Sequence, residues 1–251
     1  WIAGHSIAKD PEAAKPLTAY MAQRFGLYED LTVAENLEFY ADLNRVPRAE
    51  RAARLERLYR FSRLDEFKDR LAGALSGGMK QKLGLSAALI HQPTLLLLDE
   101  PTFGVDPISR RDLWLIIHEM VHEGVTVIVS TSYLDEAERF DRVALLHDGR
   151  LLALDSPAAL IERHPGRLYR VRTSSTRADR DRIRALPGVR SALLFGDHLH
   201  VSLAEETDWP DVAAALAGAG VSVLDAEPSP PSLEDLFLDL VAEEPEPASA
   251  A

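Results

Sequence analysis

The sequence predicts an α/β domain with a helical subdomain, followed by a small α+β domain of βαββαβ order. Two nearly continuous apolar runs, residues 95–98 and 125–129, have the length and composition of parallel strands covered on both faces. A helical segment at 107–122 lies between them, and strand, helix, strand in that order implies a right-handed crossover. After Pro165-Gly166 the pattern changes to short strands and helices in the order of a split βαβ unit.

From the start of the chain, residues 16–21 read as a short buried strand. Thr32 and Glu35 stand at capping-box spacing and open a helix continued by Leu37, Phe39, Tyr40 and Leu43. Residues 48–60 carry Ala52, Leu55 and Leu58 among many charges, a second amphipathic helix, and 64–71 suggests a third. Residues from about 32 to 90 therefore form the helical subdomain. A helix runs from Met79 to about Ile90 and Pro93 stops it; Gly124 ends the helix at 107–122. Residues 143–146 and 151–154, joined by His147-Asp148-Gly149, read as a closing hairpin. In the C-terminal part, 168–172 is a strand, 177–186 a helix, 189–195 and 198–203 a hairpin around Gly196-Asp197, 212–217 a helix and 221–224 the last strand. Residues 227–251 hold seven acidic residues and no Lys or Arg, which suits a helix at 233–241 and a disordered Glu-Pro-Ala tail. The expected domains are thus 1–160, 167–226 and an acidic helix and tail at 227–251.

A chain of 251 residues, 46% hydrophobic and 27% charged, is long enough for a large core. Its apolar runs fall far short of the roughly 20 residues a membrane-spanning helix needs. The absence of cysteine excludes disulfides and thiolate chemistry and fits a reducing compartment. A net charge of −12 argues against sequence-independent binding of nucleic acid, which needs basic patches. The chain begins at Trp1 without a basic-then-apolar leader, and so reads as a fragment rather than a secreted precursor.

Two constellations carry chemistry. Ser76-Gly77-Gly78 precedes a helix, so a hydroxyl, unhindered backbone N–H groups and the positive end of a helix dipole point at one place, where a phosphate fits. Taken alone, such a triplet is more often a plain loop and helix cap; its neighbours change that reading. Asp99-Glu100 closes the 95–98 strand at its carboxyl end, where open α/β sheets bind ligands. Strand alternation sends the two carboxylates to opposite faces, one to hold Mg2+ through water and the other to face an attacking water.

In combination these motifs resemble those of ABC-type ATPases, members of the P-loop NTPase class. Leu75-Ser76-Gly77-Gly78-Met79-Lys80-Gln81 is similar to the ABC signature, and residues 95–100 to the Walker B strand and catalytic glutamate. Gln23 resembles the Q-loop glutamine, Gly104-Val105-Asp106-Pro107 the D-loop, and Thr131-Ser132-Tyr133-Leu134-Asp135-Glu136-Ala137 the switch region. The resemblance covers residues 1 to about 160. Leu233-Glu234-Asp235-Leu236-Phe237-Leu238 adds a shorter likeness to the C-terminal segment of drug-exporter-type members. By resemblance, ATP and Mg2+ are the cofactors. Gln23 would sense Mg2+ and the γ-phosphate, Asp99 support Mg2+, and Glu100 polarise the water. Ser76, Gly77, Gly78, Gln81 and Asp106 would line nucleotide, with the signature closing over ATP held by a partner domain. The implied partners are a second ABC ATPase domain, as homodimer, heterodimer or tandem half, and an integral membrane permease. The implied place is cytoplasmic, on the inner face of the cell membrane.

Two departures qualify the resemblance. No Gly-x-x-x-x-Gly-Lys-Ser/Thr occurs, and Trp1-Ile2-Ala3-Gly4-His5 is similar to the strand that follows the P-loop in the family, so the phosphate cradle is expected upstream of Trp1. Ser132 stands where the family has its switch histidine. A serine is shorter and uncharged, so hydrolysis at this chain's own site should be slow, as in one half of an asymmetric pair. A non-hydrolysing interaction half and a non-transport ABC protein remain the alternatives. His118-Glu119-Met120-Val121-His122 matches a zinc-protease pattern, but no third ligand follows and the helix has its own buried side. His198 and His200 read as surface residues of one strand face.

Overall fold

The computed structural model describes residues 1–24 and 26–243. Expectations for the tail at 244–251 lie outside the described residues. Two compact units are present, Trp1–Ser132 and Tyr133–Ala251.

The first unit contains, in order, α1 (Pro11–Ala14), β1 (Thr18–Met21), α2 (Val33–Leu43), α3 (Arg48–Ser62), α4 (Gly77–Leu89), β2 (Leu95–Asp99), α5 (Pro107–His122) and β3 (Thr126–Ser130). The strands form a parallel sheet in the order β1-β2-β3, with Met21 beside Leu98 and Asp99 beside Ser130. Ala19, Met21, Leu96 and Leu98 are buried on one face. The opposite face is open among the described residues: Tyr20, Leu97 and Ile128 share one register row, and Tyr20 and Ile128 are 58% and 57% exposed. The apolar runs thus mark parallel strands, as expected, without cover on both sides. α4 is buried on nearly every side from Lys82 to Leu89, which is why its sequence shows so little amphipathic contrast.

The helix expected at 64–71 does not form. Only single turns of 3₁₀ helix occur nearby, at Asp65–Phe67 and Ala72–Ala74. The carbonyls of Lys68 and Arg70 accept the N–H groups of Ala34 and Val33 at 3.0 Å each, so they satisfy the exposed start of α2 instead of propagating a helix of their own.

The second unit holds α6 (Leu134–Ala137), β4 (Val143–His147), β5 (Arg150–Asp155), α7 (Pro157–Glu162), β6 (Arg167–Thr173), α8 (Thr176–Arg184), β7 (Val189–Phe195), β8 (His198–Leu203), α9 (Trp209–Gly218), β9 (Val223–Pro228) and α10 (Leu233–Glu243). β4 and β5 form the expected hairpin, turning through Asp148 and Gly149, both at positive φ. The order β6-α8-β7-β8-α9-β9 is the βαββαβ arrangement, and its antiparallel sheet runs β7-β8-β6-β9. Its core gathers Val171, Ile183, Leu199, Val201, Val212 and Leu216. The last strand starts later than expected because Val221 donates its N–H to Leu216 and so finishes α9. A second core, under the hairpin, joins Ala137, Val143, Leu145 and Leu160 to Leu233 and Leu236 of α10.

His200 is only partly exposed and is held by other residues. Its ring stacks on Phe195 at 4.2 Å, and its Nδ1 lies 2.7 Å from the Asp235 carboxylate, which is 1% exposed. Among the described residues no group of three or more His, Cys, Asp or Glu is placed to hold a metal, the helix carrying His118 and His122 included. No described helix is long and apolar enough to cross a membrane.

Candidate functional site

Two clusters form at the ends of the elements of the first unit. The first lies at the carboxyl ends of β2 and β3. Asp99 ends β2 in register with Ser130, whose Oγ–H donates to Asp99 Oδ1 at 2.6 Å, and Tyr20 from β1 donates its hydroxyl to Oδ2 at 3.3 Å. Partial burial, then the charge and hydrogen bond of Asp99, raise the Tyr20 phenol above its ordinary pKa.

Glu100 departs from the expected alternation. The strand stops at Asp99, and Glu100 has φ 46°, in the left-handed region that favours glycine. Its N–H donates to the Ser130 carbonyl at 3.0 Å and lies 3.2 Å from Ser130 Oγ, so the backbone turn rather than strand pleat aims the side chain. A non-glycine residue held there costs about 1–3 kcal/mol, a strain the surrounding structure must hold in place. Ser132 Oγ lies 3.4 Å from Glu100 Oε2, a long contact that brings the two expected catalytic positions together.

The second cluster joins the starts of α4 and α5. Ser76 caps α4, its hydroxyl accepting the Met79 N–H at 3.3 Å. Asp106 caps α5 through the N–H groups of Ile108 and Ser109 at 3.1 and 2.9 Å, and the Ser109 backbone and hydroxyl bonds hold its carboxyl below the ordinary pKa. Gly78 lets the helices meet: a Cβ there would lie 2.3 Å from both Cβ and Oγ of Ser109. Gln81, one turn into α4, donates to the backbone carbonyl of Gln23 at 3.5 Å, and its own Oε1 is buried without a hydrogen-bond partner. The side chain of Gln23 is exposed.

Buried polar residues brace this arrangement, and none of them was singled out by sequence reasoning. Asn36, fully buried, donates to the carbonyls of Tyr28, Leu31 and Thr32 at 2.9, 3.2 and 2.9 Å and accepts the Tyr28 N–H at 2.9 Å, fixing residues 28–32 ahead of α2. Lys82 of α4 pairs with Asp112 of α5 at 2.8 Å, with side chains 10% and 14% exposed. The only sequence signal for either was a polar residue on an apolar helix face.

The donor set fits Mg2+ and phosphate in kind: carboxylate and amide oxygens for a hard cation, and the start of a 13-residue helix for an anion.

Residues 1–103 match a family model described as "ABC transporter", and residues 157–241 one described as "ATP-binding protein DrrA1-3-like, C-terminal domain". The chain is 43% identical over 243 residues to "Probable multidrug ABC transporter ATP-binding protein YbhF" from Escherichia coli, covering 96% of this chain and 41% of that relative. It therefore spans about two-fifths of that protein's length. It is 35% identical over 248 residues to "Nod factor export ATP-binding protein I" from a Rhizobium species, and 32% identical over 257 residues to "Daunorubicin resistance ATP-binding protein DrrA2" from Streptomyces coeruleorubidus. These two alignments cover 98% and 99% of this chain and 79% of each relative. A solved "Structure of ATP binding subunit of ABC transporter" superposes with TM-score 0.56 at 32% identity, over 63% of this chain and 67% of that one.

Proposed function

The chain belongs to the ABC transporter ATP-binding family, and from that membership we propose that it is an energy-coupling component of a membrane exporter. In this role ATP-driven closure of two ABC domains moves a separate integral membrane permease. The printed names of the relatives, two of them resistance or multidrug proteins and one an export protein, support the exporter role.

The observation that carries the reading is the pairing of a completed signature cap with an incomplete catalytic cluster. Ser76 and Gly77, both exposed, stand at the head of α4, suited to the phosphates of ATP held by a second ABC domain, while buried Gly78 lets α4 approach α5. On this chain's own side, Asp99 holds its carboxylate ready for Mg2+ through Ser130 and Tyr20, and Glu100 is the base that orients water. Mg2+, when bound, would supply neutralisation of phosphate charge beside Asp99. Gln23, tethered to Gln81 of the signature helix, links the nucleotide side to the permease side. Ser132 sits beside Glu100 without the reach or charge of an imidazole, and losing one positioned transition-state contact costs on the order of 10²-fold in rate. This site is therefore the slow half of an asymmetric pair, and a non-hydrolysing interaction half is its limiting case. By its motifs the ATPase domain is taken to extend to about residue 160, although its final hairpin and α7 share a core with α10 in the second unit.

Purification of the complex from membranes tests the role. A permease and a second ABC domain are expected to copurify, with ATPase activity that rises in the Ser132→His variant. Recovery with ribosomes or DNA instead of a permease would overturn the exporter reading, and no gain from Ser132→His would overturn the slow-site assignment.

A further inference from the structure

α6 begins two residues after Ser132 and is only four residues long, too short to hold its shape without tertiary contacts. Its anchors come from the other end of the unit. Ala137 of α6 shares one core with Leu233 and Leu236 of α10, and the Leu233 N–H donates to Glu138 Oε1 at 2.9 Å. α10 is pinned in turn on a second face. Asp235 Oδ2 accepts the N–H and O–H of Ser232 at 2.9 and 2.6 Å, and Oδ1 lies 2.7 Å from His200 Nδ1 on β8. One turn on, Asp239 lies 3.2 Å from His164 Nε2, with side chains 6% and 1% exposed.

Burial pushes the Asp235 carboxyl up, but the bonds from His200 and Ser232 outweigh it and hold it below its ordinary value, so the pin is a charged one. Residues 233, 236, 237 and 240 make one stripe of the helix and 235 and 239 an adjacent one, at the spacings that share a helix face. A single helix thus faces α6 with its apolar stripe and the imidazoles of β8 and of the turn after α7 with its acidic stripe.

We propose that α10 is a clasp that holds α6, the part of the Thr131–Ala137 switch region that lies in the second unit, against the βαββαβ sheet. Leu233, Leu236 and Asp235 are its positioning residues. The regulatory meaning rests on Ser132 occupying the switch position; the clasp itself does not. Through it, any change that loosens α10 on β8 loosens α6.

Amide hydrogen exchange on the full chain without nucleotide tests the clasp. The reporters are the N–H groups of Glu136 to Phe140, all bonded within this turn at 3.0 to 3.3 Å. Leu236→Ala is expected to speed their exchange about tenfold or more while amides of β6 to β8 keep their rates. Leu236→Met, which conserves volume, restores the slow rate. Asp235→Asn, acting on the acidic stripe, is expected to speed the same reporters. Unchanged reporters in Leu236→Ala and Asp235→Asn, with α10 itself exchanging faster, would overturn the proposal. So would acceleration in Leu236→Ala that spreads uniformly over β6 to β9. No nucleotide enters the readout, so a failed clasp is distinct from a failed switch assignment, which Ser132→His tests separately.

Discussion

Replacing Gly78 by alanine sets two physical effects against each other. By helix propensity alone, Gly→Ala inside α4 stabilises by about 0.5–1 kcal/mol. The new Cβ, however, would lie 2.3 Å from both Cβ and Oγ of Ser109, where non-bonded carbons settle at about 3.5–4.0 Å. α4 and α5 must separate by more than an ångström locally, or Ser109 must leave the first turn that Asp106 caps. Overpacking of this size costs about 1–3 kcal/mol. The steric effect wins, and Gly78→Ala is expected to lower stability by about 1–2 kcal/mol net, or roughly 2–8 °C in Tm. Urea unfolding followed by Trp114 fluorescence, in a background where Trp1 and Trp209 are phenylalanine, reports the first unit separately from the second. Ser109→Gly removes both clashing atoms, so the double variant should recover most of the loss, with a coupling energy of about 1–2 kcal/mol. A midpoint that rises in Gly78→Ala, or a double variant no better than the sum of the singles, refutes the close approach.

Asn36→Leu leaves three carbonyls and one N–H without their partner and is expected to destabilise the first unit by about 2–4 kcal/mol, read as a lower urea midpoint with faster amide exchange at residues 28–32. For Lys82 and Asp112, the hydrogen bond from Lys82 comes first among the causes that hold the Asp112 carboxyl below 3.8, against the opposing effect of burial. Its contribution is therefore complete above pH 3.8 and is lost as pH falls through the lower folded value. Lys82→Met should cost about 3 kcal/mol at neutral pH, at the low end for a broken buried pair because Arg63 stands 3.6 Å away, and the deficit should shrink as acid neutralises Asp112. A deficit independent of pH contradicts this. Calorimetric titration of the 251-residue chain with MgATP should give a Kd weaker than about 1 mM, since no Gly-x-x-x-x-Gly-Lys-Ser/Thr is present; micromolar affinity refutes the need for that cradle.

Local signals were legible where the chain carried both stop and start chemistry. α5 spans the expected residues because Asp106 caps it, Pro107 opens it and Gly124 follows its end. The hairpin at Asp148-Gly149 and the βαββαβ order were readable for the same reason. The helix expected at 64–71 failed because the carbonyls of Lys68 and Arg70 are used by α2, some 35 residues earlier, a competition that periodicity does not register. His200 looked like a surface residue because its partner, Asp235, is 35 positions away. In the candidate site, Asp99 and Glu100 were visible as acids after four leucines, but the left-handed turn at Glu100 and the Ser130 and Tyr20 bonds to Asp99 depend on register between strands. Gly78 was visible as a permissive residue; that Ser109 requires it was not.

The central claim is that the signature of this chain serves a partner's nucleotide while its own catalytic cluster turns over slowly. The most direct measurement is the ATPase rate of the membrane-purified complex carrying Gly77→Asp or Glu100→Gln in this chain. A loss of about 10²-fold or more is expected for Gly77→Asp and less than about twofold for Glu100→Gln. Equal losses for the two, or a larger loss for Glu100→Gln, would contradict it.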